Sequence, residues 1–423
     1  MTEAVPLRFA AAMERITGGR DVPLGIAVSG GGDSVALMHL AARRGGRLRV
    51  ATVDHGLRDG SDREAEAVCL AAAALGLSHD TLRWTWDGAG NLQAAARDAR
   101  RSLMSEWAAA HGLAGVLAGH TLDDQAETVV LRLARGSGVE GLSGMAEGRL
   151  GEGAPLRPLL GIGRGALRDW LAAQGIGWTE DPSNDDERFD RVRARKAIAA
   201  LGLDPVRLAA TAARMSRARV ALERRAFEAA SALVRPGLPG EVQLDRCGLL
   251  RLEEDTLRRI LAGALRCVAG AAYRPSEDGT GRLVENVRSG GVRTLMGCVM
   301  RAAEGRVVIH REPAAVADLA PGADGVWDGA WRAPDAPDGC DLRALGSAGL
   351  LQLAATPEAA GGDVETAFAA LPENYPRAAL AAKPALWRAG RVAGFAPLGW
   401  GVPHRLIWSP PGGTFPDALL TRS

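Results

Sequence analysis

The run Ser29-Gly30-Gly31-Gly32-Asp33-Ser34 limits the possible folds more than any other part of this chain. It follows an apolar, β-rich stretch at residues 23–29 (PLGIAVS) and opens a helical pattern at 34–44. Similar pairs recur, with strands expected at 48–53, 82–86 and 115–118 and helices at 62–75, 92–111, 123–135 and 164–174. Strands alternating with helices imply a parallel sheet with helices on both faces. Ligands of such sheets sit beyond the C-terminal strand ends, where the glycine run lies.

Consecutive glycines let backbone N–H groups close on a phosphate with no Cβ in the way, and the helix start behind them adds partial positive charge. A tight strand-to-helix turn capped by Asp or Ser would use the same residues. Two familiar phosphate loops do not fit. The Walker pattern wants Lys after the last glycine, where this chain has Asp33, and the dinucleotide fingerprint wants glycine where it has Val35. The run does match the SGGxDS pattern of the PP-loop, found in enzymes that split ATP between its α- and β-phosphates. Ser29, Gly30, Gly31, Gly32, Asp33 and Ser34 are therefore the expected ATP-binding residues, and Asp33 the expected Mg²⁺ ligand.

A second motif, Gly119-His120-Thr121-Leu122-Asp123-Asp124-Gln125-Ala126-Glu127-Thr128, stands at the end of the fourth expected strand. In a helix starting near Asp123, Asp123 and Glu127 are i,i+4 neighbours and Asp124 flanks them. The helix macrodipole accounts for acids at this place in part. Stacked carboxylates also suit a cation, either Mg²⁺ or an ammonium group. His120, Asp123, Asp124 and Glu127 join Asp33 as candidate catalytic residues. Asp54 and His55 end the second strand, and Asp181-Pro182-Ser183-Asn184 reads as a turn.

Arg188, Arg191, Arg193 and Arg195 follow that turn. Residues 186–225 hold eleven Arg and Lys against five Asp and Glu, in a chain whose net charge is only +1. Spaced at i, i+2 and i+4, Arg191, Arg193 and Arg195 do not share one helical face, so a charged entrance is expected more than a surface helix. A solvated linker is the plainer alternative. Either way, arginine forks are suited to nucleic-acid phosphates.

The 423 residues suggest two or three domains. Helices are expected at about 205–230 and 255–269, and residues 313–423 carry thirteen of the 22 prolines, which suits a small loop-rich, β-containing domain. Five dispersed cysteines without a CxxC pair argue against a disulfide framework or a clustered metal site. The apolar runs fall short of a membrane span and the N-terminal stretch reads as an amphipathic helix, so a cytoplasmic protein is expected.

SGGGDS, VDHGLR, GHTLDDQAETVVLRLARGSGVEGLSGM, RPLLGIGRGALRDWL, TEDPSN and RFDRVRAR resemble, in order and spacing, the tRNA(Ile)-lysidine synthetase family. The resemblance covers about residues 20–200, is weaker to about 310 and slight beyond. Asp190 departs from it, standing where the family more often has a neutral polar residue. The resemblance implies a PP-loop catalytic domain over 1–205, a helical tRNA-recognition domain over 206–312 and a small C-terminal domain over 313–423. It also implies a two-step reaction. Wobble-cytidine O2 of the isoleucine tRNA with anticodon CAU attacks the ATP α-phosphate, and the ε-amine of L-lysine then displaces AMP. The expected cofactors are ATP and Mg²⁺, the acidic cluster would take the lysine ammonium, and the arginines at 188–195 would bind tRNA. Enzymes of this family are often dimers. Rival readings are another PP-loop enzyme, such as a tRNA thiolase, GMP synthetase or NAD synthetase, and a non-catalytic nucleotide- or tRNA-binding protein.

Overall fold

The computed structural model describes residues 4–54, 56, 61–86, 92–151, 153–180, 187–355, 371 and 375–420. His55 and the 181–184 turn lie outside them. The described residues divide into two compact units, before and after the Arg219–Val220 bond.

In the first unit, β1 (Leu24–Ala27), β2 (Leu48–Asp54), β3 (Ser78–Arg83) and β4 (Gly115–Ala118) form a parallel sheet in the order β3-β2-β1-β4. Helices α1 (Ala4–Thr17), α2 (Gly32–Arg44), α3 (Ser61–Ala74), α4 (Leu92–Ala110), α5 (Leu122–Ala134), α6 (Val139–Leu142), α7 (Arg164–Ala173) and α8 (Asp190–Ala200) surround it. Apolar side chains of α1, α2, α3 and α7 share one core with β1 and β2, among them Phe9, Met13, Leu37, Met38, Val68 and Leu167. Trp107 and Met104 of α4 form a second core with Ala51. The chain leaves β1 toward β2 on one side and reaches β4 on the other. The C-terminal ends of β1 and β4 therefore flank the switch point, where an open α/β sheet leaves a crevice. Both candidate motifs begin there.

The third strand lies earlier than expected, at Ser78–Arg83 instead of 82–86. Its residues are largely polar and only partly buried, so its apolar signal is weak. Polar contacts fix it. Asp80 accepts hydrogen bonds from Arg49 Nε on β2 at 2.6 Å and from Trp107 Nε1 on α4 at 2.8 Å. The Arg49 hydrogen bond, aided by that of Trp107 and opposed by partial burial, lowers the Asp80 pKa to about 2. A depressed carboxyl pKa contributes stability above the ordinary value near 4 and loses it as pH falls toward 2. Asp80→Asn is therefore expected to lower the unfolding free energy at pH 7 by about 1–3 kcal/mol. The deficit should shrink in acid; urea titrations at pH 7 and pH 3 test this, and an equal deficit at both would refute it.

Helix α9 (Pro205–Leu233) carries the unit boundary. In the second unit, α11 (Glu254–Ala269) and α12 (Glu277–Ser289) follow the one-turn α10 (Arg246–Leu249). Leu257, Ile260, Leu261, Ala264, Leu265 and Val268 line one face of α11 at helical spacing, as an amphipathic helix requires. Beside the expected helices lies an antiparallel sheet that the sequence reading did not identify. It comprises β5 (Val234–Arg235), β6 (Glu241–Asp245), β7 (Gly291–Leu295), β8 (Cys298–Ala303) and β9 (Arg306–Arg311), in the order β5-β6-β9-β8-β7. Further on, β10 (Trp331–Arg332) pairs with β15 (Ile407–Trp408), and β11 (Asp341–Ala344), β12 (Pro384–Arg388), β13 (Arg391–Phe395) and β14 (Trp400–Gly401) form a third antiparallel sheet. Trp400 is buried in this part's core, and Trp387 packs on it while donating from Nε1 to the Ala344 carbonyl at 3.2 Å. Trp408 packs near Trp331 in a neighbouring cluster.

Lys383 is 3% exposed, with Nζ 2.7 Å from the Pro239 carbonyl and 3.1 Å from Glu241, to which Tyr375 also donates. No helix among the described residues is long and apolar enough to cross a membrane.

Candidate active site

The glycine run leaves β1 and enters α2 with Gly31 as N-cap. Gly30 has φ +87°, a left-handed conformation that side chains disfavour. The Thr179 N–H donates to the Gly30 carbonyl at 3.0 Å, and the Trp178 ring lies 3.3 Å from where a Gly32 Cβ would stand. Ser34 Oγ donates to the Gly31 carbonyl at 2.8 Å and accepts from the Ser29 N–H at 3.1 Å. The two serines thus brace the loop from within. Around Gly31 there is room, since among the described residues a Cβ there would meet Ser29 Oγ alone, at 3.8 Å. At the end of β4, a Cβ on Gly119 would lie 3.2 Å from the Asp33 backbone carbonyl and from Ser34 Cα. Glycine at 119 lets the second motif close on the first.

Helix α5 starts with a reciprocal cap. Asp124 Oδ2 accepts from the Thr121 N–H at 2.7 Å and from its hydroxyl at 2.8 Å, while Thr121 Oγ1 accepts from the Asp124 N–H. Asp123 turns elsewhere, its Oδ2 accepting from the Arg164 N–H at 2.7 Å and so capping α7. The carboxylates brought together are therefore Asp33, Asp124 and Glu127, with Asp123 at their margin. His120 stands between β4 and Thr121, its N–H donating to the Ala118 carbonyl at 2.9 Å. Asp54 closes a turn at the end of β2, accepting from the Gly56 N–H at 2.9 Å.

Arg164, which the sequence reading did not single out, sits at the middle of this group. Its Nε donates to Asp33 Oδ2 at 3.0 Å, Nη2 to Asp124 Oδ1 at 3.2 Å, and Nη1 lies 3.5 Å from Glu127 Oε1. A cation in the first turn of a helix opposes the macrodipole. An arginine directly after the Gly161-Ile162-Gly163 turn was thus a signal that acidic partners wait there.

The basic stretch is a helix, α8, and not an irregular entrance. Val192, Ala194 and Ile198 are buried, while Arg191 and Arg195 share the face toward α5 at i,i+4. Arg195 Nε donates to Glu127 Oε1 at 3.0 Å and Arg191 Nη1 lies 3.6 Å from Asp124 Oδ1. Arg193 turns back to the Glu187 and Arg188 carbonyls and to Asp190, and Arg188 is exposed. Asp190 also accepts from Arg135 at 2.7 Å, so this departure from the family pattern serves as an ion-pair partner between α5 and α8.

Among the described residues, Asp33, Asp124 and Glu127 thus pair directly with Arg164, Arg191 and Arg195. Burial pushes the Asp33 and Glu127 carboxyls above their ordinary values, against the pull of those arginines. Asp33 Oδ1 and Glu127 Oε2 are buried without a hydrogen-bond partner among the described residues, and the Glu127 side chain is only 2% exposed. A buried carboxylate oxygen left unpaired is costly unless a ligand completes it.

Residues 5–201 match the family described as "PP-loop domain". A tRNA(Ile)-lysidine synthase of Ruegeria pomeroyi is 48% identical over 338 residues, covering 77% of this chain and 80% of that one. The chain belongs to the tRNA(Ile)-lysidine synthase family. A lysidine synthase of Methylobacterium nodulans is 43% identical over 74% of this chain and 98% of its own. Another, of Mesorhizobium japonicum, is 36% identical over 86% and 82%. The latter alignment spans 390 residues, so the likeness to lysidine synthases runs well past the PP-loop domain. As a family member the chain is an ATP-binding ligase.

Proposed function

We propose that this chain joins L-lysine to C2 of the wobble cytidine in the CAU-anticodon isoleucine tRNA, through an adenylated cytidine, releasing pyrophosphate and AMP. One observation carries the reading: Asp33 of the glycine loop and Asp124 and Glu127 of α5 converge on one guanidinium, which supports assigning the carboxylates proposed for ATP and for the amine to one cluster. The open backbone at Gly31 and the α2 N-terminus suit the polyphosphate, where preorganised N–H donors stabilise charge developing on the leaving pyrophosphate. Asp33 Oδ1 suits Mg²⁺ arriving with ATP, since Mg²⁺ commonly takes one or two carboxylates and completes its shell with phosphate and water. Bound there, the ion would polarise the phosphates.

Glu127 Oε2 suits the lysine ammonium, assisted by Asp124, and orients the amine toward the adenylated base. His120, between β4 and Thr121, would contact the phosphate or the base, and Asp123 holds the start of α7 and with it Arg164. Arg188 and Arg193, outside the carboxylate cluster, would contact tRNA phosphates. Arg191 and Arg195 would do so from the cluster's edge.

The test is incorporation of labelled lysine into an unmodified isoleucine tRNA transcript with anticodon CAU, beside one with U at the wobble position. Label on the first alone, with AMP released, is expected. AMP release without lysine incorporation would mean the amine or the RNA is wrong, and neither product would refute the reaction.

A further inference from the structure

We propose that Arg164 is a positioning residue that couples the two half-sites, so that ATP binding strengthens lysine binding. The inference rests on the reading of those half-sites given above. Asp33 stands on α2 beside the glycine loop and Glu127 on α5, and Arg164 touches both side chains.

The contacts are graded. Arg164 meets Asp33 at 3.0 Å, Asp124 at 3.2 Å and Glu127 at 3.5 Å, while Arg195 holds the same Glu127 oxygen at 3.0 Å. Among the described residues each of these carboxylates already pairs directly with at least one guanidinium, so another cation enters a site whose acids are engaged. It gains most if one guanidinium withdraws, and the Arg164 arm on Glu127 is the longest of those reaching that residue. Glu127 Oε2, buried and without a hydrogen-bond partner among the described residues, marks where an ammonium lands.

A polyphosphate bound next to Asp33 draws the guanidinium toward its own negative charge. That movement lengthens the arm on Glu127 and raises the negative potential felt by the amine. Linkage makes the effect reciprocal, so lysine strengthens nucleotide binding by the same factor. The planar fork of arginine reaches three carboxylates together, which the single ammonium of a lysine side chain cannot do.

Calorimetry on the full chain reads the coupling. L-Lysine is titrated with and without saturating α,β-methylene ATP and Mg²⁺, in the wild type, Arg164→Gln and Arg164→Lys. In the wild type the analogue is expected to tighten lysine binding by about tenfold. Both variants should still bind each ligand, with the coupling factor reduced to near one. Arg164→Lys retains the charge and gives the reading if Arg164→Gln fails to fold. Equal coupling in wild type and a folded variant overturns the proposal, as does a wild type that binds both ligands independently. A wild type that binds the analogue but not lysine, in either condition, overturns the amine-pocket reading itself.

Discussion

Asp33→Asn is expected to lower AMP formation by on the order of 10²–10³-fold while leaving the protein folded. Asparagine keeps the shape of the side chain but loses the charge that faces Arg164 at 3.0 Å and an oxygen otherwise suited to the nucleotide's cation. The loss should persist at saturating lysine, because it falls on the step that activates the tRNA base. Rapid-quench measurement of AMP, with a thermal melt to confirm folding, would show it. Wild-type AMP formation in a folded variant would remove Asp33 from the site.

Glu127→Gln has the second large expected effect, and it falls on the amine. Removing one partner of a buried charge pair typically costs about 2–5 kcal/mol. Here the loss should be seen chiefly as a rise in the KM for lysine, on the order of 10²-fold. Consumption of ATP to form the adenylated base should survive, since Glu127 touches neither the glycine loop nor its helix in the contacts described. An unchanged KM for lysine would assign the ammonium to another acid.

Where the motifs of the candidate site lie in the fold is legible in the sequence, because they obey local rules. A glycine run between strand and helix admits few uses. Asp124 follows Thr121 at the spacing of a reciprocal cap, and its position at the start of α5 needed no tertiary information. The division of labour among the acids was not legible. Asp123 and Glu127 look like partners at i,i+4, yet Asp123 faces the start of α7, which lies 41 residues away from it in sequence. Arg164 lay inside a recognised motif but declared itself only by sitting against a helix dipole. The arginines of α8 misled for a related reason. Their charge suggested an open entrance, whereas the buried Val192 and Ile198 and the carboxylates of α5 stabilise a helix. In the second unit the strong apolar face of α11 drew attention from short flanking strands. RVVIHR of β9 is almost wholly buried, with no polar alternation to announce it.

The seclusion of Lys383 gives the chain an unusual chemical economy of amines. It has two lysines, and the other, Lys196, is 58% exposed and pairs with Glu187. An acylating reagent used under native conditions should therefore modify Lys196 as its sole internal lysine, leaving Lys383 intact between Pro239 and Glu241. Peptide mapping after brief acetylation is expected to show that pattern, with Lys383 reacting only when the second unit opens in denaturant. Modification at Lys383 would then serve as a built-in clock for that opening, read by mass alone. For a protein proposed to use free lysine as a substrate, it also means that only one of its own ε-amines is accessible to compete for activated intermediates.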